Sequence, residues 1–131
     1  MEPEELVRAF IADYESWNRF AYQLSTTLPR TYLADAAVTS AYRTLVEKFC
    51  PPGHKNQPIS FGSDSMHDSA HEVVVSAERT TDACVVKTRH TKNIANTTLS
   101  SDFEYHLEKT GERWFLTSIL HVVERGKYEG L

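Results

Sequence analysis

The residues that could do chemistry are the six histidines, two of which stand in a metal-like spacing. His67 and His71 are four apart, which on a helix would place two imidazoles on one face as ligands. The chemistry would be a zinc-type centre with a neighbouring carboxylate as base. The flanking residues argue otherwise. Gly62-Ser63-Asp64-Ser65 and Asp68-Ser69-Ala70 do not read as a helix, and no Glu follows His67, so the metalloprotease pattern fails. Two solvated loop histidines and no metal are expected. His90, His106 and His121 fall on alternating segments, where a lone histidine is expected as a polar position on a sheet. No serine or cysteine sits in a nucleophile elbow, and no Gly-rich loop follows a strand. Cys50 and Cys84 match neither a Cys-x-x-Cys pair nor a zinc spacing. They read as free, partly buried thiols in a reducing compartment. No cofactor is expected.

Helical elements come first. Pro3, Glu4 and Glu5 suit a helix N-terminus. Apolar residues then recur at Leu6, Val7, Phe10, Ile11, Tyr14, Trp17, Ala21 and Leu24, in steps of three and four, which predicts a helix over residues 3–24. Residues 25–30, with Pro29, make a break. Asp35 is the expected cap of a second helix carrying Ala37, Val38, Ala41, Tyr42, Leu45, Val46 and Phe49, stopped by Pro51-Pro52-Gly53. Residues 54–70 read as a mobile loop, with a short strand at Ile59-Ser60-Phe61.

From His71 the period changes to two. Strands are expected over 72–79, 83–92, 102–109 and 112–123, with a polar linker over 93–100 and a polar tail from 124. In the third, Phe103, Tyr105 and Leu107 face the core. Asp102, Glu104, His106 and Glu108 form a stripe facing water, the expected partner-binding surface. In the fourth, strict alternation puts Trp114, Leu116, Leu120 and Val122 on one face and Phe115, Ile119 and Val123 on the other. A strand apolar on both faces predicts a second cover, and a sheet-to-sheet homodimer is expected. Tyr14, Trp17, Tyr42, Tyr105 and Trp114 are the candidates to line a pocket between helices and sheet.

Helices followed by a meander of strands indicate an α+β domain, and 131 residues suffice for one. A net charge of −4 argues against non-specific nucleic-acid binding. No apolar run is long enough for a membrane span, and the acidic start is unlike a signal peptide, so a cytoplasmic protein is expected.

This order of elements resembles the NTF2-like superfamily, whose fold is an α+β cone of two or three N-terminal helices on a curved, mostly antiparallel sheet. The likeness lies in the first helix with Tyr14 and Trp17 inward, the second helix ending near Cys50, and the long strands. It includes Gly111-Glu112-Arg113-Trp114-Phe115-Leu116-Thr117-Ser118-Ile119, similar to a late Gly-x-x-Trp-x-Ile/Leu signature. It covers most of the chain, read as a single domain over 1–131. The resemblance implies one of three roles. The first is an isomerase, cyclase or hydratase of the ketosteroid isomerase or SnoaL type, which needs an acid or base inside the cone. Asp13 and Glu15 lie off the apolar stripe, which leaves Glu72, Glu78 and His90, if their strands turn that face inward. The second is a ligand-binding domain. The third is an NTF2-fold immunity protein of bacterial toxin systems, similar in its Phe10-Ile11-Ala12-Asp13-Tyr14-Glu15-Ser16-Trp17 stretch. That third role, binding and neutralising a cognate toxin with no chemistry of its own, is the expectation.

Overall fold

The computed structural model describes residues 1–27, 29 and 31–131. Two helices, α1 (Pro3–Thr27) and α2 (Tyr32–Phe49), precede five strands: β1 (Glu72–Arg79), β2 (Ala83–Ile94), β3 (Thr97–Thr110), β4 (Arg113–Val123) and β5 (Gly126–Glu129). The strands form one antiparallel sheet in chain order. Both helices pack on one face of it, which makes the domain α+β. No helix among the described residues is long and apolar enough to cross a membrane.

The apolar stripe of α1 is the predicted one, and it is buried from Leu6 to Ala21. The helix continues three residues past Leu24, to Thr27. Of the expected break, Leu28 and Arg30 lie outside the described residues. The cap of α2 is Thr31 rather than Asp35: its hydroxyl accepts from the Ala34 amide at 3.1 Å, and Asp35 sits in the first turn. A threonine just outside a helix and an aspartate just inside it both favour the start, by capping and by the dipole respectively. Ile59-Ser60-Phe61 forms no strand.

The sheet is longer than expected at two places. Residues 93–100 are no linker; β2 and β3 run on and pair to Ile94 and Thr97. Ala95 and Asn96 turn between them with φ of 47° and 67°, the backbone that a tight two-residue hairpin requires. The tail is not free either. β5 pairs with β4 over Leu120–Val123, and Leu131, 1% exposed, sits in the core while its carbonyl accepts from Gln57 at 3.0 Å.

The faces of β4 also differ from strict alternation. Leu107 pairs with Leu116 but His106 pairs with Ser118, so Thr117 is an extra residue, a β-bulge. Its hydroxyl donates to the His106 carbonyl at 3.0 Å. The bulge flips the phase: Trp114, Leu116 and Ile119 are buried on the inner face, whereas Leu120 and Val122 turn outward. A second bulge at Val75 does the same in β1, between Val74 opposite Thr88 and Ser76 opposite Lys87.

The Leu131 side chain tests whether the C-terminal segment is structural. Leu131→Ala should lower stability by about 2–4 kcal/mol, the cost of a buried leucine truncation. Urea unfolding with an unchanged midpoint would show the segment to be dispensable.

Candidate functional site

The site is built by the loop between α2 and the sheet. This loop is pinned rather than mobile over residues 62–71. The buried Asn18 side chain donates to the Gly62 carbonyl at 2.9 Å and accepts from its amide at 3.2 Å. The Ser69 amide donates to Glu15 Oε1 at 3.1 Å, and the amides of His71 and Glu72 close a turn on the Asp68 carbonyl. Backbone groups that would otherwise need water thus find protein partners.

Inside the domain, this loop delivers His67 to a buried carboxylate. Glu72 opens β1 and points inward, its side chain fully buried. His67 Nδ1 lies 2.7 Å from Glu72 Oε1. Thr88 and Tyr105 each donate a hydroxyl to Oε2 at 2.6 Å. A carboxylate only accepts, so His67 carries its proton on Nδ1. Tyr105 Oη, 2.9 Å from the same nitrogen, is placed to accept a fork of that bond. Burial pushes the Glu72 carboxyl up, but the hydrogen bond and electrostatic attraction of His67, with the Thr88 and Tyr105 hydroxyls, outweigh it and hold the group below its ordinary value. Burial first, then the Glu72 charge, drive the Tyr105 phenol well above its ordinary value, so it stays a hydroxyl.

Aromatic rings close around this polar set. Phe103, Tyr14, Tyr105 and Phe10 surround His67 at centroid distances of 4.6, 5.0, 5.8 and 6.2 Å. The solvated loop histidine expected at position 67 is therefore a core residue. The five pocket candidates, Tyr14, Trp17, Tyr42, Tyr105 and Trp114, are all buried. Tyr14, Trp17 and Tyr42 pack in series, with Trp17 Nε1 donating to the Val38 carbonyl at 3.1 Å. Trp114 lies apart, under the Arg79 and Lys109 cations. Burial pushes the Cys50 thiol up to about 12 and raises that of Cys84, where Glu4 adds to the rise and Arg79 opposes it, so neither thiol is a ready nucleophile.

At the rim, Asp68 and His71 turn away from the core and meet His90 of β2. Asp68 Oδ1 is 2.7 Å from His71 Nδ1, and Oδ2 is 3.1 Å from His90 Nε2. Burial pushes the Asp68 carboxyl up, and the hydrogen bonds from both imidazoles more than offset this, leaving it below its ordinary value. A polar cavity of about 430 Å³ opens beside Asp68 and His71, lined also by Glu15, Arg19, Tyr22 and Lys92. Of the three inward candidates, Glu72 and His90 do face inward, and Glu78 is exposed, opposite Val85 on the outer side.

The stripe of β3 is not an open acidic surface. Asp102 is paired with Arg89 at 2.9 Å. Glu104 is only 8% exposed, gripped by Lys127 at 3.0 Å and His106 at 3.2 Å. Burial opposes its charge, but Lys127 and His106 hold its carboxyl below the ordinary value. The cover comes from β5, which brings Lys127 opposite Val122. Glu108 alone of the three acids is exposed with no cation paired to it among the described residues.

Compared with known proteins, the chain matches no family model, no curated protein and no solved structure.

Two measurements follow from these contacts. Tyr105→Phe leaves the buried Glu72 one donor short and should cost about 1–3 kcal/mol in denaturant unfolding. A change below a few tenths would show that the hydroxyl is not satisfying the carboxylate. The Glu104–Lys127 contact sets a pH dependence. The folded carboxyl lies below its unfolded value, so its contribution is complete above the unfolded value, near 4.5, and is lost as pH falls through the folded one. The stability difference between the native protein and Lys127→Met should therefore be largest near neutrality and shrink in acid. A difference independent of pH between 7 and 3 would assign the effect to packing.

Proposed function

We propose that the protein is a non-enzymatic binding protein whose recognition surface is the outer face of its sheet, and that it neutralises a bacterial toxin domain. The observation that carries this reading is the contrast between the two faces. The inner one is filled with rings around a carboxylate whose two oxygens already hold protein donors. The outer one is covered by neither helix. It carries Val73 and Val75, 57% and 53% exposed, on the edge strand β1, and Phe115, Leu120 and Val122 on β4, with charged residues of β2 and β3 such as Arg89 and Asp102 between them. Exposed apolar side chains interspersed with charges are compatible with a protein-binding surface.

The same role goes with a finer fold assignment. A long first helix, a second ending at Phe49, and a sheet whose β3–β4 hairpin carries the Gly111–Ile119 segment are what an NTF2-like cone would have. On this reading the chain works in the cytoplasm of a bacterium, as an immunity protein of that fold. Without its toxin, two copies pair through the same sheet face, burying Val73 and Val75. Binding to the toxin then competes with self-association.

A second reading rests on Glu72. An ionised carboxylate beside a phenol and an imidazole is suited to proton transfer, as in an isomerase or hydratase, were the His67 loop to open. The two readings part at one variant. If the protein acts by surface binding, Glu72→Gln protects cells as well as the native chain, provided circular dichroism shows it folded.

The direct experiment is co-expression with candidate bacterial toxin domains. Growth should be restored, and Val73→Lys with Glu108→Lys should slow association about tenfold at low salt while leaving the fold intact. Sedimentation should show the native chain as a dimer at micromolar concentration and Val73→Lys as a monomer. A monomeric native chain with no affinity for the toxin would defeat the proposal.

A further inference from the structure

We infer that Asp68, His71 and His90 form a binding site for a divalent transition metal at the rim of the sheet. This goes beyond the binding role proposed above and does not depend on it. The three donor atoms are two imidazole nitrogens and one carboxylate oxygen, all within 4.8 Å of one another. Two imidazoles and a carboxylate on one side of an ion, with open positions on the other, is the donor set of zinc hydrolytic and non-haem iron centres.

The spacing of the donor atoms is close to what an ion needs. Bonds of about 2.0–2.2 Å place neighbouring ligand atoms roughly 3–3.5 Å apart. His71 Nδ1 lies 2.7 Å from Asp68 Oδ1 and His90 Nε2 lies 3.1 Å from Oδ2, hydrogen bonds that an ion taking a carboxylate oxygen and the two nitrogens would replace. The remaining imidazole–imidazole edge, at most 4.8 Å, must close by about an ångström. His71 has the freedom for this, since its side chain is 40% exposed, against 17% for Asp68 and 13% for His90. Its ring already lies beside that of His90, at a centroid distance of 5.5 Å.

The backbone holds the set ready. The His71 amide donates to Asp68 Oδ1 at 2.8 Å, which fixes the carboxylate and leaves Oδ2 directed at His90. The Thr91 amide donates to the His71 carbonyl at 3.1 Å, tying the loop to the strand that carries the second imidazole. Such outer contacts orient ligands before the ion arrives. The two cations lining the adjoining cavity are both paired, Lys92 with Asp64 at 3.0 Å and Arg19 with Glu15 at 3.3 Å, and so repel an incoming ion less. The cavity of about 430 Å³ beside Asp68 and His71 leaves room for water or a small anionic ligand at the open positions.

The test uses the full chain, stripped with chelator and titrated with Zn²⁺ alone by calorimetry. One equivalent should bind with a Kd of about 1 μM or tighter. Asp68→Asn and His90→Asn should each weaken binding by about 100-fold, and His71→Asn by at least tenfold. His54→Gln, in the Pro51–Asn56 loop, should leave it unchanged. Co²⁺ in place of Zn²⁺ should give visible d–d absorption that Asp68→Asn abolishes. His71→Asn keeps the test decisive should the more buried variants fail to fold, because that side chain is half-exposed. A native Zn²⁺ Kd weaker than about 1 μM, or a loss of less than tenfold in His71→Asn, would overturn the assignment.

Discussion

The Glu72 carboxylate is the constraint around which this fold closes. An ionised carboxylate taken out of water costs several kcal/mol unless donors replace its hydration. Here the donors come from three separated stretches of chain: His67 from the loop, Thr88 from β2 and Tyr105 from β3. Satisfying one carboxylate therefore fixes the register of three strands and the path of the loop together. A slip of one residue in β2 would replace Thr88 by Lys87 or Arg89 on the inner face, which is incompatible with the ring of Phe10, Tyr14 and Phe103. The buried polar group adds specificity that an all-apolar interior would lack.

The bulges do complementary work at the other end of the strands. Thr117 and Val75 each shift the phase of a strand by one residue, and each sits opposite regular β3 or β2. Without the shift, β4 could not bury both Leu116 and Ile119, and one layer of the core would face water. The bulge thus resolves the apparent contradiction of a strand apolar on both sides. It moves Ile119 in and leaves Phe115, Leu120 and Val122 outside, so some outward apolar surface is genuine. That residue of apolar surface is what any account of the outer face must cover.

How much of this was legible in the sequence follows from the range of the interactions involved. The stripe of α1 and the alternation of β3 are local, and both stand where periodicity put them. The cap at Thr31 is masked by Asp35, which offers an equally good local signal four residues later. The β2–β3 turn carries no Asn-Gly, only Ala95-Asn96, so the hairpin looked like a linker. A bulge has no periodic signature at all. The inward turn of His67 is set by Tyr105, thirty-eight residues away, and no spacing rule connects them. A weak signal did exist for Glu72: an acid at the start of an apolar strand, facing the same way as Val74, needs a partner inside. The rim cluster is only half local: Asp68 and His71 share one turn, but His90 joins them only through β1–β2 pairing.

The core network and the rim cluster share a single cause. His67 and Asp68 are adjacent, and their side chains diverge, one to Glu72 inside and the other to His71 and His90 at the edge. His71 and Glu72 repeat the divergence four residues later. One polar contact at the core side, His67 with Glu72, thus clamps both ends of the turn that presents Asp68 and His71. The rim geometry is then no independent feature of a loop. It is held by the same carboxylate that sets the strand register, and a loop so held can present ligands with a precision that loop residues alone seldom reach. The Gly62–Asn18 and Ser69–Glu15 bonds anchor the remaining path to α1. A chain that needed only to fill its interior could have used an apolar residue at position 72 and left this loop free.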